Sequence, residues 1–320
     1  MVDPAVPLTA VLVAAGLVVL TTVTAVVDAG LRDPAMRDRA TGRSWVSRRA
    51  GAVLVPVVGT VRLLRQHRRT TVAADSLLWR VGVVGLPVVA LLMAALVPVG
   101  PGTVADSSVG IVWFNALDVT VWALVWMAGW GPNSVFGLVG GYRFLAQGLA
   151  YELPLMFALT APAVAAGSLR LADVVAAQDG LWFVVWMPVA FVVFCLAVAG
   201  FAVWGPLSHP AGVDIAGGVF AELSGVDRLL MLAGRYALLT AGAAIGVTLF
   251  MGGGSGPVLP QWLWLAVKTG LLSAALIGLG RRLPTLRADR FAEIGWLILL
   301  PATLLQVLVV AVVAARQGGG

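Results

Sequence analysis

The chain has 320 residues, of which 60% are hydrophobic and 11% charged, with a formal net charge of +6. A water-soluble domain carries roughly 25% charged residues, so a soluble fold is excluded and an all-α polytopic membrane protein is expected. The positive balance does not point to nucleic acid, because the arginines sit between apolar runs with no basic stripe of interleaved aromatics; topology and contact with the lipid bilayer account for them.

Crossing about 30 Å of hydrocarbon takes roughly 20 apolar residues as a helix. Runs of that kind fall at 8–28, 77–98, 110–131, 141–167, 181–204, 227–250, 261–280 and 292–315, which predicts one membrane domain, 1–320, of about eight spans. The first run follows an acidic Met1-Val2-Asp3-Pro4 start and reads as a retained helix, not a signal peptide. Trp79, Trp113, Trp130, Trp182, Trp262 and Trp296 lie near span ends, where indole prefers the interface. The loop 29–76 holds Arg32, Arg37, Arg39, Arg43, Arg48, Arg49, Arg62, Arg65, Arg68 and Arg69, and the loop 281–291 holds Arg281, Arg282, Arg287 and Arg290. The loops near 99–109 and 251–260 have no Lys or Arg. The positive-inside rule then puts 29–76, 205–226 and 281–291 in the cytoplasm and both termini outside.

Two shorter segments read as interfacial amphipathic helices. In 52–66 apolar residues lead and Arg62 and Arg65 share a face, and 169–178 repeats the idea on the outer side. Gly318–Gly320 reads as a disordered tail. No internal repeat is evident, which argues against a transporter built from two similar halves, as does the lack of paired discontinuous helices.

A charge at a span centre costs about 2.5–3.5 kcal/mol on insertion scales and is a functional suspect. Asp118, Glu152, Arg235 and Lys268 qualify. The bland reading is a charge that snorkels or pairs for packing alone, and it weighs more on Arg235 and Lys268 than on the short carboxylates. Buried Asp, Glu and Lys linked by side chains and water are what a proton path needs. Arg143, Gln147 and Tyr151 recur at i, i+4 and share one helix face, with Glu152 beside it and Pro154 after it. Pro154 frees a carbonyl that protein or a wet cavity must satisfy, or is simply a kink. The Gly-rich loop 205–227 carries Asp214, Glu222 and Asp227 and is either a docking segment or a solvated connector. The run Gly252-Gly253-Gly254-Ser255-Gly256-Pro257 lacks the Lys and strand context of a phosphate loop and reads as a tight external turn. The lone Cys195, and His67 and His209 far apart, give no metal-ligand spacing, so no metal is expected.

Several motifs match those of one family, and in the same order. Ala128-Gly129-Trp130 with Asn133-Ser134 is similar to AGWxxNS, and Arg143, Gln147 and Tyr151-Glu152-Leu153-Pro154-Leu155 to the R…Q…YE-x-P-L stretch. Ala221-Glu222-Leu223-Ser224-Gly225 resembles TEYSG, and Thr248-Leu249-Phe250-Met251-Gly252-Gly253 with Gly256-Pro257 resembles TLFxGGWxGP. Lys268-Thr269 resembles the KT of the seventh span. Leu283-Pro284, Arg287, Asp289, Gly295-Trp296 and Leu300-Pro301 resemble LPRxRYDQ…GW…LP, and Pro56 with Arg62-Leu63-Leu64 the amphipathic QPxADxxKLL segment. Together they resemble the H subunit, also called subunit 1, of NADH-quinone oxidoreductase (respiratory complex I), and the resemblance covers nearly the whole chain after residue 50. It implies eight spans with both termini outside, in a bacterial plasma membrane. It also implies a subunit that is not catalytic alone but walls the quinone chamber and links it to proton translocation.

By the same resemblance Glu152 and Asp214 belong to a carboxylate chain leading from the quinone, Arg143 lies near that path, and Glu222 lies in the loop shaping the chamber. With the residues above, the proton-path candidates are Glu152, Asp214, Asp118 and Lys268, and the chamber candidates Glu222, Arg143, Gln147 and Tyr151. No cofactor is expected on this chain: quinone is the substrate of the complex, and FMN and iron–sulfur clusters sit in partner subunits. The chain departs from the family where 199–214 replaces AETNRxPFDLPEAESEL with few carboxylates, where Arg235 stands for the Glu of AEY, and where the ERK and GPNR signatures are missing from the first cytoplasmic loop. These departures mark a divergent member. They keep open an equivalent subunit of a hydrogenase-like complex, or a scaffold that has lost its quinone chemistry.

Overall fold

A computed structural model describes residues 5–31, 45–100 and 103–318. The stretch Arg32–Arg43 and the end of the expected tail, Gly319–Gly320, lie outside the described residues, as do the side chains of Arg48 and Arg49. The elements are α1 (Ala5–Leu31), α2 (Trp45–Arg65), α3 (Ser76–Ala95), α4 (Gly110–Trp130), α5 (Val135–Ala166), α6 (Leu171–Ala176), α7 (Phe183–Trp186), α8 (Pro188–Phe201), α9 (Gly225–Phe250), α10 (Gln261–Arg282), α11 (Ala288–Ile294) and α12 (Leu300–Gly318). A π turn, Gly295–Leu299, joins α11 to α12, and four short 3-10 turns occupy 205–220. Among the described residues there is no strand element, and seven helices are long and apolar enough to cross a membrane.

The run at 181–204 is the exception. It is not one helix but α7 and α8, broken at Met187 (φ −119°, ψ 48°). The break follows from Pro188, which has no N–H to continue the ladder and starts the next helix at its first position. The Trp186 carbonyl freed there accepts from Gln306 Nε2 of α12 at 3.2 Å. Hydropathy alone shows one continuous run here; the structure has a discontinuous helix, and a neighbouring helix closes it as non-helical backbone at membrane depth requires.

α9 is the central helix, with 67% of its span buried, and α1 the outermost, with 6%. α9 packs on α3, α8, α10 and α1, and α5 packs on α4, α8, α11 and α12. Small residues set the closest approaches: a Cβ added to Gly82 of α3 would lie 2.6 Å from the Leu124 carbonyl oxygen of α4. The bundle seals its outer helix with charge. Asp28 of α1 is fully buried; its Oδ2 accepts from Tyr236 at 2.8 Å and its Oδ1 from Arg281 Nε at 2.9 Å.

The loops sort to two ends. At one end Arg68 pairs with Asp227 (2.6 Å), Asp75 N donates to the Gly131 carbonyl (2.8 Å), and Leu286 N donates to the Pro206 carbonyl (2.7 Å). At the other Arg170 Nε bonds Asp106 Oδ1 (2.8 Å) and Gly252 N donates to Gln178 Oε1 (2.9 Å). α2 reaches back to Trp45, and its Leu54, Val57, Val58, Val61 and Leu64 are exposed. Trp113, Trp130, Trp182, Trp262 and Trp296 are exposed, but Trp79 is fully buried beneath Gly131. Trp79 lies in the first turn of α3, near the span end as expected, but its ring is covered by protein and not by lipid: the 66–75 loop folds over it, with Arg68 6.0 Å away.

Candidate functional site

The i, i+4 face of α5 runs as a polar stripe through an apolar bundle. Arg143 lies at its loop end, where its Nη2 pairs with Asp214 Oδ2 at 2.7 Å and its Nη1 donates to the His209 carbonyl at 3.5 Å. One turn deeper, Gln147 is buried and donates to the Gly200 carbonyl of α8 at 3.0 Å. One turn further, Tyr151 is buried, accepts from Trp122 Nε1 at 3.0 Å and donates to Asp118 Oδ1 at 3.3 Å. Next to Tyr151 in sequence, Glu152 Oε1 accepts from Asn115 Nδ2 at 3.0 Å. Asn115 and Asp118, at i, i+3 on α4, thus meet Glu152 and Tyr151 of α5, which sets the two carboxyls side by side. Beside this group a Cβ on Gly295 would strike the Ala150 carbonyl, so the π turn rests directly on α5.

The stripe opens into a cleft of about 910 Å³ lined by Arg143, His209, Asp214, Thr285, Arg287 and Asp289, among others. The Arg143 guanidinium bonded to Asp214 holds that carboxyl below the usual range. His209 is pushed down by burial and by Arg143, with Asp214 opposing, Arg287 adding and Asp289 opposing. Its Nδ1 is buried without a hydrogen-bond partner among the described residues. A histidine whose folded pKa lies below its unfolded one contributes its full stability above the unfolded value, and loses it as pH falls through 6.5 towards the folded value. We expect His209, read by nitrogen NMR of histidine-labelled protein in a His67→Gln background, to titrate below 6.5. A midpoint at or above that value would contradict the packing described.

Two candidates lie elsewhere. Glu222 Oε1 accepts from Ser134 Oγ at 2.8 Å, which ties the loop to the α4–α5 turn rather than to the cleft. Lys268 is buried at the opposite end of the bundle, donating to the carbonyls of Met251 (2.8 Å), Gly253 (3.1 Å) and Ser255 (2.7 Å), with the Trp182 ring 4.3 Å away. Gly252 and Gly253, at φ +66° and +53°, let the loop turn those carbonyls inward. Arg235 is likewise bound by carbonyls, those of Ala202 (3.2 Å) and Val203, and lies 4.2 Å from the Trp204 ring. Sequence reasoning missed Asn115, Trp122, Asp28 and His209. Asn115 and Trp122 flank Asp118 at i−3 and i+4, a signal that was legible.

The sequence profile of the NADH dehydrogenase family matches residues 10–311. The chain is 34% identical over 284 residues, 83% of its length and 86% of the relative's, to the second NADH-quinone oxidoreductase H subunit of Geobacter sulfurreducens. It is 33% identical over 284 residues, with the same coverage, to the first NADH-quinone oxidoreductase H subunit of Geobacter metallireducens. A bundle of apolar helices, the motifs in order and these matches give one answer: the chain belongs to the NADH dehydrogenase family, as a membrane protein of the complex I H-subunit (subunit 1) type.

Proposed function

We propose that the chain is a membrane subunit of a complex I-type NADH-quinone oxidoreductase, forming part of the quinone chamber and coupling quinone reduction to proton translocation. The observation that carries this is the stripe of polar side chains on one face of α5, from Arg143 at the 910 Å³ cleft through Gln147 and Tyr151 to Asp118 and Glu152. In this reading Asp214 and Arg143 stand at the mouth, and Asp118 and Glu152 take up the proton within the membrane. Glu222 fixes the loop that shapes the mouth. Lys268, at the far end, holds the outer loop and touches the path only through the fold.

The chain would cross a bacterial plasma membrane about eight times. The end carrying Arg68, Arg69, Arg281, Arg282 and Arg287 faces the cytoplasm and the termini lie outside. Partners would be the other subunits of the assembly, where FMN and iron–sulfur clusters reside, together with quinone and lipid; nucleic acid has no part. One observation favours a second reading: the loop from Gly205 to Ala221 has Asp214 as its sole carboxylate, which suits an equivalent subunit of a hydrogenase-like complex without quinone. Photoactivated crosslinking of the assembled complex with an azido-quinone separates the two. The first reading expects labelled peptides from 205–225 and the loop end of α5; labelling confined to other subunits would overturn it.

A further inference from the structure

Asp118 is fully buried and Glu152 is partly so, on facing turns of α4 and α5. Each has one oxygen that is served: Asp118 Oδ1 by the Tyr151 hydroxyl and Glu152 Oε1 by the Asn115 amide. The other two oxygens, Asp118 Oδ2 and Glu152 Oε2, are buried and have no donor among the described residues. Yet the Tyr151 and Asn115 hydrogen bonds, which cross between α4 and α5 in opposite directions, set the two carboxyls side by side. Ionised carboxylates only accept, so two ionised groups at this range leave both oxygens bare in a low-dielectric interior, where an unpaired polar group is costly. One added proton removes both deficits together, because a protonated carboxyl donates to its neighbour.

We infer that Asp118 and Glu152 hold a single proton between Asp118 Oδ2 and Glu152 Oε2, as one shared site with one net negative charge. The proton is bonded to one oxygen and donated to the other, and the remaining charge spreads over groups that Tyr151 and Asn115 already serve. The two members are unequal. Asp118 is fully enclosed by the bundle, whereas Glu152 sits between Leu149 and Met156, which are exposed at 61% and 46%. Asp118 is therefore the enclosed member of the site, and Glu152 the one nearer the outer face of the bundle. This rests on the proton-coupling function proposed above and gives that function its storage site.

Infrared difference spectra of the assembled complex in H₂O and D₂O test it. The wild type should show a protonated-carboxyl C=O band, shifted by deuterium, that disappears in Asp118→Asn and equally in Glu152→Gln. Each substitution turns the lost acid into an amide that donates to the remaining carboxylate, so no proton is needed. Two bands, each lost in one variant only, would mean two separate acids and overturn the shared site. The absence of any band would also overturn it, leaving a water or a cation to bridge Asn115 Oδ1, Asp118 Oδ2 and Glu152 Oε2. If a variant fails to assemble, wild-type protein with heavy carbon at the aspartate or the glutamate carboxyls still decides: the shared site shows one C=O band that moves with one label and a carboxylate band that moves with the other, whereas two separate acids show a C=O band that moves under each label. A shared band in a protein whose Glu152→Gln variant still turns over with full coupling would sink the proton-coupling function and spare the site. No band, with coupling lost in that variant, would do the reverse.

Discussion

Glu152→Gln is expected to lower quinone-dependent, proton-coupled turnover on the order of 10²-fold, the scale of losing one positioned acid–base group, while the complex still assembles. Assembly survives because the glutamine keeps the shape, its oxygen still accepts from Asn115, and its nitrogen serves the Asp118 oxygen that has no donor. Proton carriage does not survive, because an amide neither gives nor takes a proton in this range. NADH-driven quinone reduction and acidification of inverted vesicles, measured on complex matched for subunit content, read the two apart. Unchanged coupled turnover would remove Glu152 from the mechanism.

Lys268→Met is expected to act through the fold. Three carbonyls, of Met251, Gly253 and Ser255, converge on one ammonium, and methionine leaves them without a donor. Each buried acceptor stranded in this way costs about 1–3 kcal/mol, so a loss of roughly 3 kcal/mol or more is expected even if the three are not additive. The measurement is thermal unfolding of the purified complex with proteolysis of the 251–260 loop as the local reading: a lower midpoint and faster cutting. Lys268→Arg should recover part of it, since a planar fork does not match three carbonyls arranged around a point. Equal midpoints and equal cutting for Lys268→Met would show that the cage carries no stability.

These two residues also show what is legible in the sequence. The face of Arg143, Gln147 and Tyr151 is readable because helical spacing places i and i+4 together, and the structure keeps all three on one stripe. Asp118 and Glu152 are readable as buried charges, but their meeting is not. They are 34 positions apart, and only the packing of α4 on α5 joins them. Lys268 is legible as an intramembrane cation, but its cage is not, because its partners are carbonyls, which every residue has and no motif marks. The Gly252-Gly253 run reads as a turn without a lysine; the lysine arrives from the next helix. Asp28 escapes notice because it sits at the end of an apolar run, where a charge usually meets water, whereas Arg281 and Tyr236 close over it here. His209 offers the sequence reader only its lack of metal spacing, and its place beside Arg143 and Asp214 depends on the folded 205–220 turns.

The central claim is membership of a working complex I-type assembly, and the most direct test is what travels with the chain. A tagged copy, extracted in mild detergent and read by mass spectrometry, should bring the quinone-chamber partner, an iron–sulfur subunit and antiporter-like membrane subunits in constant proportion. A chain that purifies alone, or with a nickel–iron hydrogenase-type subunit in place of the quinone-chamber partner, would contradict it.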